Sequence, residues 1–158
     1  RLQIQEWFKN TVLGNTEQLS TFWNAVAEGD AATIEKYLNR TLSNSISVFD
    51  TKTVNGEKES SYHTLLLGLL AGNSNVEAGE GFADIIVETE NPDAGMIFEL
   101  KYAKEVTGLE KACERALDQI EDRRYTEYLK NEERHEILQY GMAFYKKRCK
   151  VIAKKTEE

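Results

Sequence analysis

The spacing of apolar residues changes from that of helices to that of strands at Asn75. Before this point, apolar side chains recur every three or four residues, which indicates amphipathic helices. Beyond it, short runs of alternating or mainly apolar residues are separated by turn residues, which is typical of strands. The order of these patterns predicts a helix, three strands, a helix and two more strands. Such a mixture requires a layered α/β or α+β domain.

The same patterns predict where the elements lie. Three helical patterns fill the first forty-odd residues, with Asn15 and Asp30 as N-caps, and a buried helix is expected over 60–71. A long amphipathic helix and a short helical piece follow the third strand, over 109–120 and 125–129. We expect an antiparallel meander of three strands and a hairpin of two strands, over 75–78, 82–89 and 95–102, then 137–145 and 149–153.

Composition and charge limit the class of protein. The chain has 158 residues, of which 41% are hydrophobic and 30% charged, so it has room for one folded domain. Its net charge of −7 argues against a surface that attracts phosphate everywhere. Six of the ten residues from Lys146 to Lys155 are nevertheless basic, so a contact with a polyanion is expected near that end.

The remaining composition bears on the compartment. Cys113 and Cys149 lack the spacing of a disulfide framework or a zinc site, which favours a reducing compartment such as the cytoplasm. The longest apolar run, from Leu65 to Ala71, is far shorter than the roughly 20 residues that span a bilayer, so no membrane segment is expected. Because the chain begins at Arg1 without Met, we expect it to be part of a longer polypeptide.

Two acids stand in apolar strand patterns. Asp84 shares a predicted face with Ile86, and Glu99 shares one with Lys101 on the next strand. Two carboxylates on neighbouring strands suit Mg²⁺, and a lysine beside them can orient or deprotonate a water. The alternative is a buried ion pair between an acid and Lys101. From this triple alone the ion pair is favoured, since such triples arise easily by chance.

Five blocks of residues surround these acids in a fixed order. They are Glu59-x-x-Tyr62-His63 with Leu66-Leu67-Gly68-Leu69-Leu70; Ser74-Asn75-x-Glu77-x-Gly79-x-Gly81-x-x-Asp84-Ile85; Ile97-x-Glu99-x-Lys101; Ala116-Leu117-x-Gln119-Ile120 with Tyr125; and Tyr140-Gly141-x-Ala143-Phe144-x-x-Lys147. Over about residues 45 to 155 this order resembles the PD-(D/E)XK nuclease superfamily. More closely, it resembles the nuclease-like module at the C-terminus of bacterial AAA-ATPase-like proteins.

The resemblance implies a fold and a site. The fold is a restriction-endonuclease-like αβββαβ core, with a central mixed sheet flanked by helices. Residues 45–158 would form this domain, and residues 1–44 a helical segment leading from an upstream ATPase-like domain. The implied ligands of Mg²⁺ or Mn²⁺ are Asp84, Glu99 and Glu59, and Lys101 would serve the attacking water. Gln119 and Tyr125 match a helix position that contacts nucleic acid or supports the site.

Other residues leave alternatives open. Lys146, Lys147, Arg148 and Lys150 could contact a phosphate backbone, or they could keep the edge of a hairpin soluble. Glu77 could be the third acid in place of Glu59, although a solvated residue is the favoured interpretation. His63 could hydrogen-bond Glu59 one helical turn away, but a histidine satisfied in the core is favoured.

The leading hypothesis is therefore a metal-dependent nuclease domain that hydrolyses phosphodiester bonds, with DNA as the favoured substrate. No covalent intermediate is expected, because the chain has no Gly-x-Ser-x-Gly motif and no cysteine beside a histidine in sequence. The alternative is a catalytically silent module of the same fold that binds nucleic acid or a protein partner.

Overall fold

The computed structural model of the chain describes residues 16–44, 55–73, 76–80 and 83–156, without the side chains of 16 and 55–60. The helices are α1 Thr16–Glu28, α2 Ala31–Ser43, α3 Asn55–Ala71, α4 Leu109–Asp122 and α5 Thr126–Asn131, and a 3₁₀ turn, Val106–Gly108, precedes α4. The strands are β1 Val76–Gly79, β2 Ile85–Thr89, β3 Ala94–Tyr102, β4 Glu136–Tyr145 and β5 Arg148–Thr156. The first predicted helical pattern and the Asn15 cap lie outside the described residues.

The five strands form one mixed sheet in the order β1-β2-β3-β4-β5. Only β3 and β4 are parallel, and the other neighbours are antiparallel. The chain crosses from β3 to β4 through α4, because parallel neighbours need a long connection. The predicted meander and hairpin are thus confirmed.

Helices cover both faces of the sheet. On one face, α1, α2 and α3 bury the larger core, which includes Phe22, Leu38, Leu66, Phe98 and Tyr140. On the other face, α4 and α5 cover smaller clusters that include Ile97, Ile137 and Ala143. This is the predicted restriction-endonuclease-like α+β architecture, with helices at its N-terminal side. No described helix has the length and apolarity needed to cross a membrane.

Helix α2 begins and packs as the sequence predicts. Asp30 is the N-cap of α2, because its carboxylate accepts a hydrogen bond from the Thr33 N–H at 3.2 Å. The apolar stripe of α2 is buried as predicted, and it consists of Ile34, Tyr37, Leu38 and Leu42.

Side chains of α2 also cover the outer edge of β5. The Asn39 amide donates to the Cys149 carbonyl at 3.0 Å and accepts from the Cys149 N–H at 2.8 Å. Glu35 Oε1 accepts from the Val151 N–H at 2.9 Å. A strand edge that is bonded in this way is protected from pairing with another chain. Residues 16–44 therefore pack as part of the body that contains the sheet, and their predicted link to an upstream domain stays a prediction.

The prediction differs from the structure at the starts of α3 and β2. Helix α3 begins at Asn55, earlier than the predicted start at residue 60, and β2 begins at Ile85, later than predicted. The Asp84 N–H donates to Glu99 Oε1 at 3.4 Å, and its Oδ2 accepts from the Leu100 N–H at 2.8 Å. These bonds use side chains in place of the strand ladder, and the chain bends at 83–84. Alternation along a strand over 82–89 predicts one face for Ala83 and Ile85. That prediction is wrong, because the chain bends here and Ala83 packs beneath α5, in a different cluster from Ile85.

Candidate active site

The candidate site is built on the C-terminal half of β3. Successive side chains of a strand point to opposite faces, and Phe98 and Leu100 enter the larger core. Glu99 and Lys101 therefore lie on the other face, beneath α4. Asp84 stands next to Glu99 because Ile85, the following residue, pairs with Phe98.

Gln119 of α4 links the acid and the lysine of β3. Its Oε1 accepts a hydrogen bond from Lys101 Nζ, and its Nε2 donates to Glu99 Oε2. Lys101 Nζ is 4.0 Å from the same Glu99 oxygen, and the lysine side chain is 28% exposed. The amide thus holds the ammonium beside the carboxylate while leaving it open to solvent. Of the two roles implied for Gln119, this geometry favours support of the site.

The carboxyl group of Glu99 is buried, since the residue is only 4% exposed. Burial raises the pKa of its carboxyl above the ordinary value, and the negative charge of Asp84 raises it further. The hydrogen bond from the Asp84 N–H and the positive charges of Lys101 and Arg123 oppose this rise. The pKa of Glu99 is nevertheless raised overall, so the hydrogen bond and the two positive charges do not fully offset burial and the charge of Asp84. A cation placed beside the Glu99 carboxylate would therefore stabilise its ionised form.

His63 of α3 approaches the site from a different helix. Its Nε2 lies 3.0 Å from the main-chain carbonyl oxygen of Asp84. A carbonyl only accepts hydrogen bonds, so Nε2 carries the proton and donates it. The half-buried ring therefore fixes the backbone at the bend that bears Asp84. The sequence offered only the spacing of His63 from Glu59, which gives no sign of this contact across 21 residues.

Three other predicted residues stand apart from this network. Glu59 lies on α3, and its side chain is outside the described residues. Glu77 is exposed on β1, directly opposite Glu88 of β2. Tyr125 is 8% exposed and packs with Ile120 in the cluster beneath α5, so it belongs to the core beside the site. Roles for these residues in metal or nucleic-acid binding stay predictions.

The basic hairpin lies at the same end of the sheet as Lys101. Lys101 pairs with Ala143 in the parallel ladder, and β4 ends two residues later in the turn at Lys146 and Lys147. The Tyr62 hydroxyl donates to the Lys146 carbonyl oxygen at 2.6 Å and ties this turn to α3. The turn is therefore fixed close to the candidate site along the strand direction.

The charges of this hairpin are partly engaged within the protein. Lys150 Nζ lies 3.8 Å from Glu35 Oε1, and Lys146 Nζ lies 5.5 Å from the centre of the Tyr145 ring. Arg148 is exposed. The structure thus brings together Asp84, Glu99, Lys101 and Gln119, while Lys146, Lys147, Arg148 and Lys150 lie at one end of this group.

The described carboxylates offer a pair of metal ligands. Among the described residues, no three His, Cys, Asp or Glu side chains are grouped closely enough to hold one ion. Asp84 and Glu99 supply two hard oxygen donor groups on adjacent, rigid backbone. Mg²⁺ is commonly bound by one or two carboxylates and completes its shell with waters and phosphate oxygens. The donor set therefore suits such an ion.

Comparison with known proteins agrees with this geometry. The family model described as the PD-(D/E)XK nuclease superfamily matches residues 57–154. Searches of the curated proteins and of the solved structures found no significant match. The matched range contains β1 to β4 and most of β5, the crossover helix α4, and the acids and lysine that β3 and the bend before β2 bring together. This chain therefore belongs to the PD-(D/E)XK nuclease superfamily.

Proposed function

We propose that this protein is a metal-dependent nuclease that hydrolyses phosphodiester bonds, with DNA as its substrate. The observation that carries the proposal is the convergence of Asp84, Glu99, Lys101 and Gln119 on one face of the sheet. In this proposal Asp84 and Glu99 hold Mg²⁺ or Mn²⁺. Glu59 of α3 completes or neighbours the metal site, as its match to the family pattern suggests.

The chemistry of the donors supports a divalent cation. Members of this superfamily typically use divalent metals. Burial and the charge of Asp84 raise the pKa of Glu99, and a bound cation would remove this repulsion. When bound, such an ion polarises phosphoryl oxygens and lowers the pKa of a bound water.

Lys101 has the position and the freedom to act on the substrate. Gln119 fixes its ammonium group, which can orient the attacking water and stabilise negative charge that develops on the phosphate. The 4.0 Å separation from Glu99 and the 28% exposure of Lys101 argue against a buried structural ion pair. Burial raises the pKa of the Cys113 thiol to about 12, so this thiol is not a nucleophile, and water remains the attacking group.

The substrate would extend beyond the metal toward the basic hairpin. Its turn lies at the end of the sheet nearest Lys101, where Lys146, Lys147, Arg148 and Lys150 could contact phosphates without reading the sequence. Tyr125 lies in the core at the opposite end of β4, with Ile120 and Ile137, and would act there through packing. We further propose, from the sequence resemblance, a cytoplasmic setting and an upstream ATPase-like domain to which residues 1–44 connect residues 45–158.

One observation favours the alternative of a silent module, in the form that binds a protein partner. A groove of about 390 Å³ lies on the face of the sheet opposite to Glu99 and Lys101, and a second groove of about 340 Å³ lies over β1 and β2. Its lining includes the acids Glu77, Glu80 and Glu88 and the exposed ring of Tyr128. Among the described residues, Glu88 pairs with Arg134 at 3.7 Å and no such pair involves Glu77 or Glu80, so this acidic groove would repel a phosphate backbone.

The direct test is cleavage of labelled single- and double-stranded DNA and RNA in Mg²⁺, Mn²⁺ or EDTA. We expect wild-type protein to cleave DNA only with metal. Asp84→Asn and Lys101→Ala should each lower the rate about 100-fold or more, the scale observed when a group that stabilises a transition state is lost.

The controls remove similar charges elsewhere. Asp93→Asn changes a carboxylate at the β2–β3 turn, and Lys111→Ala removes an exposed lysine of α4. Both should leave cleavage unchanged. Binding of nucleic acid without cleavage under any metal condition would instead support the silent module. Equal activity of the Asp84→Asn variant and the wild-type protein would contradict the proposal.

Gln119→Ala tests whether the bridging amide positions Lys101 and Glu99. We expect a loss of about 10- to 100-fold in activity and in Mn²⁺ affinity, the usual cost of removing a partner of a metal ligand. The pH dependence of the rate should also change, because the ammonium and the carboxylate lose their common link. Asp118→Ala, at the exposed neighbouring position, is the control. An unchanged pH profile and metal affinity in Gln119→Ala would leave the amide a packing role only.

A further inference from the structure

Arg123 ends α4 one helical turn after Gln119. Its N–H donates to the Gln119 carbonyl at 3.0 Å, as residues four apart do in a helix. Side chains at this spacing lie on the same side of the helix. Because the Gln119 side chain contacts Glu99 and Lys101, the side of α4 that bears Arg123 borders the candidate active site.

The guanidinium of Arg123 borders the site and is not engaged in an ion pair by the described part of the chain. Arg123 is exposed, and in the described part of the chain no carboxylate lies within ion-pair distance of its guanidinium. The next residue differs, since Arg124 pairs with Glu127 at 3.7 Å.

We infer that Arg123 binds a phosphate group of the nucleic-acid strand at this site, an inference that rests on the proposed function. A phosphodiester brings negative charge toward two carboxylates, and the ammonium of Lys101 is already bonded to Gln119. A second cation beside the site would lessen the repulsion. The guanidinium of Arg123 has several donors in a planar fork, and this shape matches phosphate oxygens.

The position of Arg123 also fits a strand that crosses the site. The start of α4 packs near the hairpin end of β4, where Leu109 contacts the cluster that contains Ala143. The end of α4 packs at the opposite end of β4, where Ile120 clusters with Ile137. Arg123 and the basic turn at Lys146 therefore lie on opposite sides of the carboxylates. A nucleic-acid strand that contacted both would place its backbone over Asp84 and Glu99.

The test measures the affinity of a fluorescent DNA strand by anisotropy in EDTA, where no metal supports cleavage. Arg123→Ala should weaken binding about tenfold or more, the scale of one charge-assisted hydrogen bond. The slope of log Kd against log salt concentration should fall by about one, as expected for one lost phosphate contact. Arg123→Lys should recover part of the affinity. Arg124→Ala removes the same charge one residue away and should bind as wild type does.

The outcomes separate this inference from the proposed function. Equal affinity of Arg123→Ala and wild type, or an equal loss in Arg124→Ala, would overturn the role of Arg123. Metal-dependent cleavage by the wild-type protein would then leave the nuclease proposal standing. A wild-type protein that neither binds nor cleaves any nucleic acid would overturn both.

Discussion

Replacing Gly141 by alanine is expected to destabilise the protein by about 1–3 kcal/mol, the usual cost of forcing an extra methyl group into a packed core. Gly141 lies on β4 directly beside Glu99 of β3. A Cβ at this position would clash with the main-chain carbonyl oxygen of Cys113 and would lie 3.0 Å from the Leu117 side chain. Both belong to α4, so the helix must move away from the sheet.

The same displacement should reach the candidate site. Gln119 lies two residues after Leu117, and its bonds to Glu99 and Lys101 require the close approach of α4. Gly141→Ala is therefore expected to lower both stability and metal-dependent cleavage. Denaturant unfolding measures the first effect, and a fall in Tm of roughly 2–4 °C for each kcal/mol should accompany it.

Gly79→Ala is the matched control for this change. It adds the same methyl group to a strand glycine of the same sheet, and no atom of the described residues lies within 4 Å of the added atom. We expect it to retain wild-type stability to within about 0.5 kcal/mol. If Gly141→Ala were as stable as Gly79→Ala, the close approach of α4 could not be what holds Gln119 in place.

Replacing Glu99 by glutamine is expected to remove a distinct part of the pH dependence of stability. The pKa of Glu99 is raised in the folded protein, first by burial and then by Asp84. In EDTA the protonated carboxyl therefore favours the folded state below the unfolded pKa. This contribution is lost as the pH rises through the folded-state pKa. Each unit of pKa difference corresponds to about 1.4 kcal/mol.

The measurement is denaturant unfolding of both proteins in EDTA between about pH 4 and pH 8. The free energy of unfolding of the wild type, relative to Glu99→Gln, should fall across this range and then become constant. The change of the free energy of unfolding with pH is the quantity to compare. Its absolute value also reflects the new amide of Glu99→Gln, which places an N–H near the Asp84 N–H. Glu90→Gln, at the exposed β2–β3 turn, should follow the wild type. Parallel curves for wild type and Glu99→Gln would contradict the prediction.

Metal addition provides a second outcome for the same pair of proteins. In the proposed site Mn²⁺ would bind the ionised carboxylate of Glu99, so adding Mn²⁺ should raise the Tm of the wild type and make the Tm depend on metal concentration. The glutamine variant has lost the charge and should not respond to the same degree. Equal stabilisation of the two proteins would place the metal away from Glu99.

Much of the fold could be predicted from local patterns. The Asp30 cap, the buried stripe of α2 and the amphipathic face of α4 each depend on residues close in sequence, so their spacing was sufficient. The start of β2 could not be predicted in this way. Asp84 uses its side chain to bond the N–H of Leu100, 16 residues away, and this contact exists only once β3 is beside it.

The candidate site likewise combines features that local sequence predicts with contacts that only the tertiary structure shows. The sequence by itself determined the identities of Asp84, Glu99 and Lys101 and the strand positions of Glu99 and Lys101, because alternation and the order of the family blocks are local properties. Only the tertiary structure decided that Gln119 joins Glu99 to Lys101, that His63 holds the bend at Asp84 and that Arg123 borders the site. These contacts depend on how closely α3 and α4 approach the sheet. That approach is set by packing, notably at Gly141, and no short stretch of sequence encodes it.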